Sequence, residues 1–247
     1  MQTLLLRFCF IASLILSVTL TGNAQNADKK SEELAKQVLK AMGGKKAWDN
    51  TRHISWNFFG ARTLTWDKWT GNVRIETPDN QTIYLLNVQN MTGKAMVKGQ
   101  IITQADSLQK ALTQAKNIWI NDSYWLVMPY KLLDPGVTLR YQGQQKTEKG
   151  TLADVIELTF SAVGVTPDNK YLVYFDPTSH LVTQWAYFAK NTDEKPRFVL
   201  PWEDYKTYGK IKLSGERGPR DLTNIQVFSS LPSEVYTEFT KPAHITN

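Results

Sequence analysis

Ile54-Ser55-Trp56-Asn57-Phe58 alternates large apolar side chains with small polar ones, and Leu64-Thr65-Trp66-Asp67 repeats the pattern after a short break. A period of two puts Ile54, Trp56 and Phe58 on one face of an extended chain and Ser55 and Asn57 on the other. Val73 and Ile75 follow the turn Thr70-Gly71-Asn72, and the apolar run 83–88 follows Pro78-Asp79-Asn80. Turn residues at such short spacing predict a meander of antiparallel strands.

Upstream the period is close to 3.6. Between Asp28 and Met42, Leu34, Val38 and Met42 fall at i, i+4 and i+8, with Ala35 and Leu39 flanking the same stripe. That spacing predicts an amphipathic helix, with Asp28, Glu32 and Glu33 at its positive end and Gly43-Gly44 as its stop. Lys45–Asn50 adds a turn that seats Trp48. Downstream, Leu108, Ala111, Leu112, Ala115 and Trp119 keep helical spacing from Asp106 to Ile120, with Asp106 able to cap. Strands are then expected at Tyr124–Met128, Val137–Gln142, Val155–Phe160, Tyr171–Phe175, Leu181–Phe188, Phe198–Leu200, Lys210–Leu213 and Thr223–Phe228. No repeat, low-complexity tract or linker divides the chain, so the expectation is one α+β domain.

Residues 1–24 read as a secretory signal peptide. Arg7 precedes the apolar run 8–20, and Gly22-Asn23-Ala24 places small residues at a cleavage site before Gln25. The run is shorter than the roughly 20 apolar residues that span a bilayer. The leader also contains Cys9, the single cysteine, so the expected mature chain 25–247 lacks disulfide, thiolate-metal and Cys-nucleophile chemistry. Without Arg7, the 29 Lys+Arg still exceed the 23 Asp+Glu by five. This modest excess suits anionic head groups or plain solubility, and no basic stripe points to nucleic acid. At 247 residues, 42% hydrophobic and 21% charged, the chain is neither disordered nor a multispan membrane protein.

Catalytic signals are sparse. His53, His180 and His244 lie far apart and form no metal-binding spacing, no GxSxG occurs, and no glycine-rich loop opens a helix. Asp67, beside Trp66 and Trp69, or Asp176 with Glu157, could serve as a glycosidase pair, but a solvated strand face accounts for them more simply. The aromatic load says more: eight Trp, ten Tyr and ten Phe, many alternating along strands. Either they fill a closed core or they line a concave face larger than two helices can cover, which would hold an apolar ligand.

The segment Tyr124-Trp125-Leu126-Val127-Met128-Pro129-Tyr130-Lys131-Leu132-Leu133-Asp134-Pro135-Gly136 reads as an apolar strand running into Pro129, then a tight turn. It resembles a stretch found in exported members of the LolA/LolB lipoprotein-carrier superfamily. Tyr174-Phe175-Asp176-Pro177-Thr178, and Trp202-Glu203-Asp204-Tyr205-Lys206 through Gly209 with Leu231-Pro232 trailing, are similar to further motifs of that superfamily. The resemblance implies an open, half β-barrel capped by the N-terminal helix and a helical insertion, its concave face shielding acyl chains. It also implies an arginine that latches the lid, for which Arg62 is the candidate.

The resulting expectation is an exported, periplasmic or secreted, monomeric, non-enzymatic protein that binds a lipid, lipoprotein acyl chains or another amphiphile. It would use no cofactor or metal and make peripheral contact with a membrane. Trp56, Phe58, Trp66, Ile75, Tyr84, Trp125, Val127, Leu158, Phe160 and Tyr174 would line its cavity, one alternating face per strand. Lys206, Lys210, Lys212, Arg217 and Arg220 would meet anionic heads at the rim, or form a solvated hairpin. An exported hydrolase of glycans or lipids working through carboxylates, and a fully packed interaction module, are the alternatives.

Overall fold

A computed structural model describes residues 21–161 and 166–240, with side chains from residue 29 onward. The expected leader lies outside the described residues, apart from the backbone of 21–24, and so does His244. The alternating run at 54–67 forms the first hairpin, β1 (His53–Phe58) with β2 (Arg62–Asp67), Trp56 opposite Leu64. β3 (Asn72–Glu76), β4 (Ile83–Asn87), β5 (Gly93–Val97) and β6 (Gln100–Ile101) extend the meander. The last strand returns to cover the free edge of β1, giving seven antiparallel strands.

Helix α1 (Thr21–Ala41) precedes the sheet and buries Leu34, Ala35 and Val38, with Met42 just beyond its end. Each large side chain so buried contributes about 1.5–3 kcal/mol. The stop is tight. A side chain on Gly43 would lie 2.2 Å from the Lys210 carbonyl oxygen, and Gly43 has φ of 112°. Only glycine allows that approach. The short α2 (Lys45–Asn50) then carries Trp48 onto Tyr130, rings stacked 4.2 Å apart.

After β6 the chain enters α3 (Ala105–Val127), where the Gln104 side chain caps the Ser107 amide at 2.7 Å. The expected insertion helix is therefore present but longer. Tyr124–Met128, expected as a strand, is instead the end of α3 and the first residue of the 3₁₀ turn Met128–Tyr130. Pro129 fits that turn because its missing amide has no intrahelical role there. The Asp134-Pro135-Gly136 turn forms as expected, with the Val137 amide donating to Asp134 at 3.2 Å.

A second antiparallel sheet follows in the order β11-β10-β9-β8-β7: β7 (Val137–Lys146), β8 (Leu152–Phe160), β9 (Lys170–Phe175), β10 (Val182–Phe188) and β11 (Phe198–Pro201). The hairpin of β12 (Glu203–Tyr208) and β13 (Ile211–Glu216) bridges the two sheets. The Trp202 amide donates to Thr183 on one side, and Gly215 approaches the Leu222 carbonyl of β14 (Leu222–Phe228) on the other. The whole is one α+β domain, a curved antiparallel wall that does not close into a barrel, with an N-terminal helix and a helical insertion. α4 (Glu234–Thr237) packs behind the first sheet, where Arg74 reaches the carbonyls of Val235, Glu238 and Phe239.

Candidate functional site

α3 treats the two halves of the wall differently. Its first half lays Leu108, Leu112 and Ala115 into the core that holds the inner residues of the first sheet. Its second half stands off the second sheet and leaves a cavity of about 500 Å³. Phe160, Tyr171, Trp185, Tyr187 and Phe198 project into it from the sheet, Trp119, Tyr124 and Trp125 from α3, and Trp66 from β2. Asn121, Pro135 and Thr166, all exposed, mark the side open to solvent, where Lys131 and Asp134 form an ion pair at 2.5 Å.

The wall is preformed because its rings hold one another. Tyr171 lies flat on Trp185 with centroids 5.3 Å apart, and Trp125 meets Trp185 edge-on at 4.8 Å. Tyr187 stacks on Phe198 at 5.0 Å, and Trp66 meets Trp119 at 5.3 Å. Such pairs contribute roughly 0.5–1.5 kcal/mol each beyond their burial. Burial pushes the Tyr124 and Tyr171 phenols well above their ordinary value, as expected in so apolar a site.

Two arginines fix α3 over the cavity. Arg62, at the start of β2, holds both carboxylate oxygens of Asp122 at 2.5 and 2.8 Å, and Asp122 is fully buried. This pair borders a second, polar groove on the other side of α3, lined by Lys110, Gln114 and Asn117. Arg217 donates to the Trp125 carbonyl at 2.9 Å near the end of α3, and its guanidinium sits 3.5 Å from the Trp202 ring. Burial lowers its pKa to about 9. Arg217 is thus a buried clamp, which corrects its expected place at a basic rim. Lys206 is exposed and paired with Asp204 at 2.9 Å, while Lys210 and Arg220 are exposed; none of these lines the cavity.

Of the ten residues expected at the site, Trp66, Trp125, Val127 and Phe160 meet at the cavity, Trp125 and Val127 from a helix rather than a strand. Trp56, Phe58, Ile75, Tyr84 and Leu158 point to the inner side but are packed into the core. Tyr174 faces the opposite side of the second sheet, with Val155, Ala186 and Phe188. The pleat makes Tyr171, Val173 and Phe175 the inward residues of β9. Trp119, Tyr124, Tyr171, Trp185, Tyr187, Phe198 and Lys131 also line the cavity and are not among the ten. Trp119 lies on the expected helix and Trp185 and Tyr187 within the expected strand Leu181–Phe188, but nothing local tells lining from filling.

The carboxylates do not assemble. Burial works to raise the Asp67 carboxyl, but hydrogen bonds from Arg52, Thr70 and Trp69 outweigh it and hold it below the usual range. Asp176 accepts from the Ser179 and Thr178 amides in a turn of the other sheet, and that also keeps its carboxyl low. Among the described residues no three His, Cys, Asp or Glu side chains gather as metal ligands, and no helix is long and apolar enough to cross a membrane.

No protein-family model and no curated protein matches the chain. Among solved structures it is similar to a DUF1329 family protein from Desulfovibrio piger, at 14% identity and a TM-score of 0.46, over 86% of this chain and 98% of that one.

Proposed function

We propose that this chain is a non-enzymatic binding protein that shields the apolar part of an amphiphile, working outside the cytoplasm after loss of residues 1–24. The observation that carries the reading is the cavity of about 500 Å³ walled by nine aromatic side chains. Its size falls in the range of roughly 300–1,000 Å³ usual for small-molecule sites. Each methylene moved from water onto such a wall is worth about 0.8 kcal/mol, so an acyl chain binds without directed polar contacts. The resemblance to lipoprotein carriers suggests the same use, and Arg62 supports it by tying the insertion helix to the wall.

Purification under mild conditions, followed by mass spectrometry of an organic extract, is expected to show a co-purifying amphiphile. Delipidated protein should show a change in tryptophan emission when a long-chain amphiphile is returned, since four tryptophans line the space. An empty extract together with unchanged emission for every amphiphile tried defeats the proposal.

A further inference from the structure

The cavity's size and its mouth narrow the ligand further, given the reading above. A methylene takes up about as much room as a molecule of liquid water, roughly 30 Å³. The cavity of about 500 Å³ then takes on the order of 16 methylenes, room enough for one long chain. The walls cannot easily widen to take another. Trp185 is braced by Tyr171, Trp125 and Trp202, the last edge-on at 5.2 Å, and α3 is tied at Asp122 and at the Trp125 carbonyl.

The mouth has a charge preference. Among the described residues that line the cavity, Lys131 is the one cation and Asp134 the one anion, joined across a single turn. Lys68, two residues beyond Trp66, adds a second cation nearby: its ammonium lies over the Trp48 ring, which meets the cavity's Trp66 edge-on at 6.5 Å, and the Lys45–Asp49 pair beside it adds no net charge. Its ammonium donates to the carbonyls of Trp48 and Thr51 and lies 3.6 Å from the Trp48 ring centre; Asp49, the carboxylate whose charge acts on it, is itself paired with Lys45. A head group placed beside Lys131 therefore meets a net positive field.

We infer that the ligand is a single-chain amphiphile with an anionic head, its chain among the aromatic rings and its head beside Lys131. A free fatty acid and a lysophospholipid share that chemistry.

The test uses delipidated full-length protein and tryptophan emission, with saturated fatty acids from 8 to 20 carbons. Affinity should rise about fourfold per methylene and level off near 16 carbons. A second chain should add less than twofold, comparing dimyristoyl with lysomyristoyl phosphatidylglycerol. Palmitate should bind at least tenfold more tightly than hexadecanol, and Lys131→Gln should remove most of that difference, weakening palmitate far more than hexadecanol. If the fatty acids bind and the lysolipid does not, or the reverse, the source of the ligand is assigned. Continued tightening to 20 carbons, a large gain from the second chain, or equal binding of acid and alcohol overturns the inference while leaving the amphiphile reading in place. Failure of all these probes to bind removes both.

Discussion

Arg62 and Asp122 show how much a single pair decides here. Asp122 has no exposed surface, and among the described residues Arg62 is its one cationic partner, meeting both carboxylate oxygens. Arg62→Ala would leave a buried carboxylate without its counter-charge, a loss expected to cost about 3 kcal/mol. A double change, Arg62→Met with Asp122→Leu, removes both charges and should recover much of that loss in urea unfolding; recovery no better than the single change would show that the charges matter less than the shape. Arg217→Lys tests the other clamp. A lysine cannot reproduce the forked contacts to Ser214, Glu216 and Trp125, so a loss of about 2 kcal/mol is expected in the same assay. Single residues also show where reading from sequence stops. Tyr171, Leu172, Val173, Tyr174 and Phe175 are all apolar or aromatic, so the strand offers no polar alternation to say which parity faces inward. For that reason the expected inward place of Tyr174 is corrected to the outer face.

At the scale of elements, α3 is the instructive case. Its apolar stripe passes through Asn121-Asp122-Ser123, a polar cluster that reads as a break, after which the apolar run before Pro129 suits a strand as well as a helix. The helix continues because Arg62, sixty residues earlier, makes a buried aspartate acceptable. A local window cannot contain that information. The first hairpin, by contrast, was legible because its alternation and its turn residues agree. The segment around α4 makes a separate prediction. Tyr236 bonds to the Nδ1 of His53 at 2.8 Å, and the other ring nitrogen, Nε2, is buried with no partner among the described residues. Burial lowers the His53 pKa, Arg52 acting in the same direction and Asp67 against it. The unfolded chain therefore takes up a proton near pH 6.5 that the folded protein resists, and stability falls as the pH drops through and below that value. His53→Gln should flatten the difference in urea midpoint between pH 7 and pH 5. An unchanged difference would place the acid sensitivity elsewhere.

Across the whole molecule, one curved wall serves two ends. The half under the start of α3 is filled, and the half under its end is left open, although both present aromatic side chains inward. Sequence alternation reveals which residues face in but not how far a helix stands from the sheet, and that distance separates core from cavity. The same aromatic interior fixes the response to alkali. Burial raises the phenols of Tyr124, Tyr130, Tyr171, Tyr205 and Tyr236 well above the ordinary value, and that of Tyr141 to about 12. In the unfolded chain they ionise near pH 10. Their contribution to stability is thus complete below pH 10 and lost as the pH rises toward the folded values. Tyrosinate absorbance should rise in two stages, the exposed phenols first and the buried ones only with the collapse of near-ultraviolet circular dichroism. Tyr124 and Tyr171 also line the cavity, so a bound chain, which favours the folded state by mass action, should move the second stage to higher pH. A second stage that precedes unfolding, or one that ignores a saturating ligand, would mean that these rings are wetter than the packing around them allows.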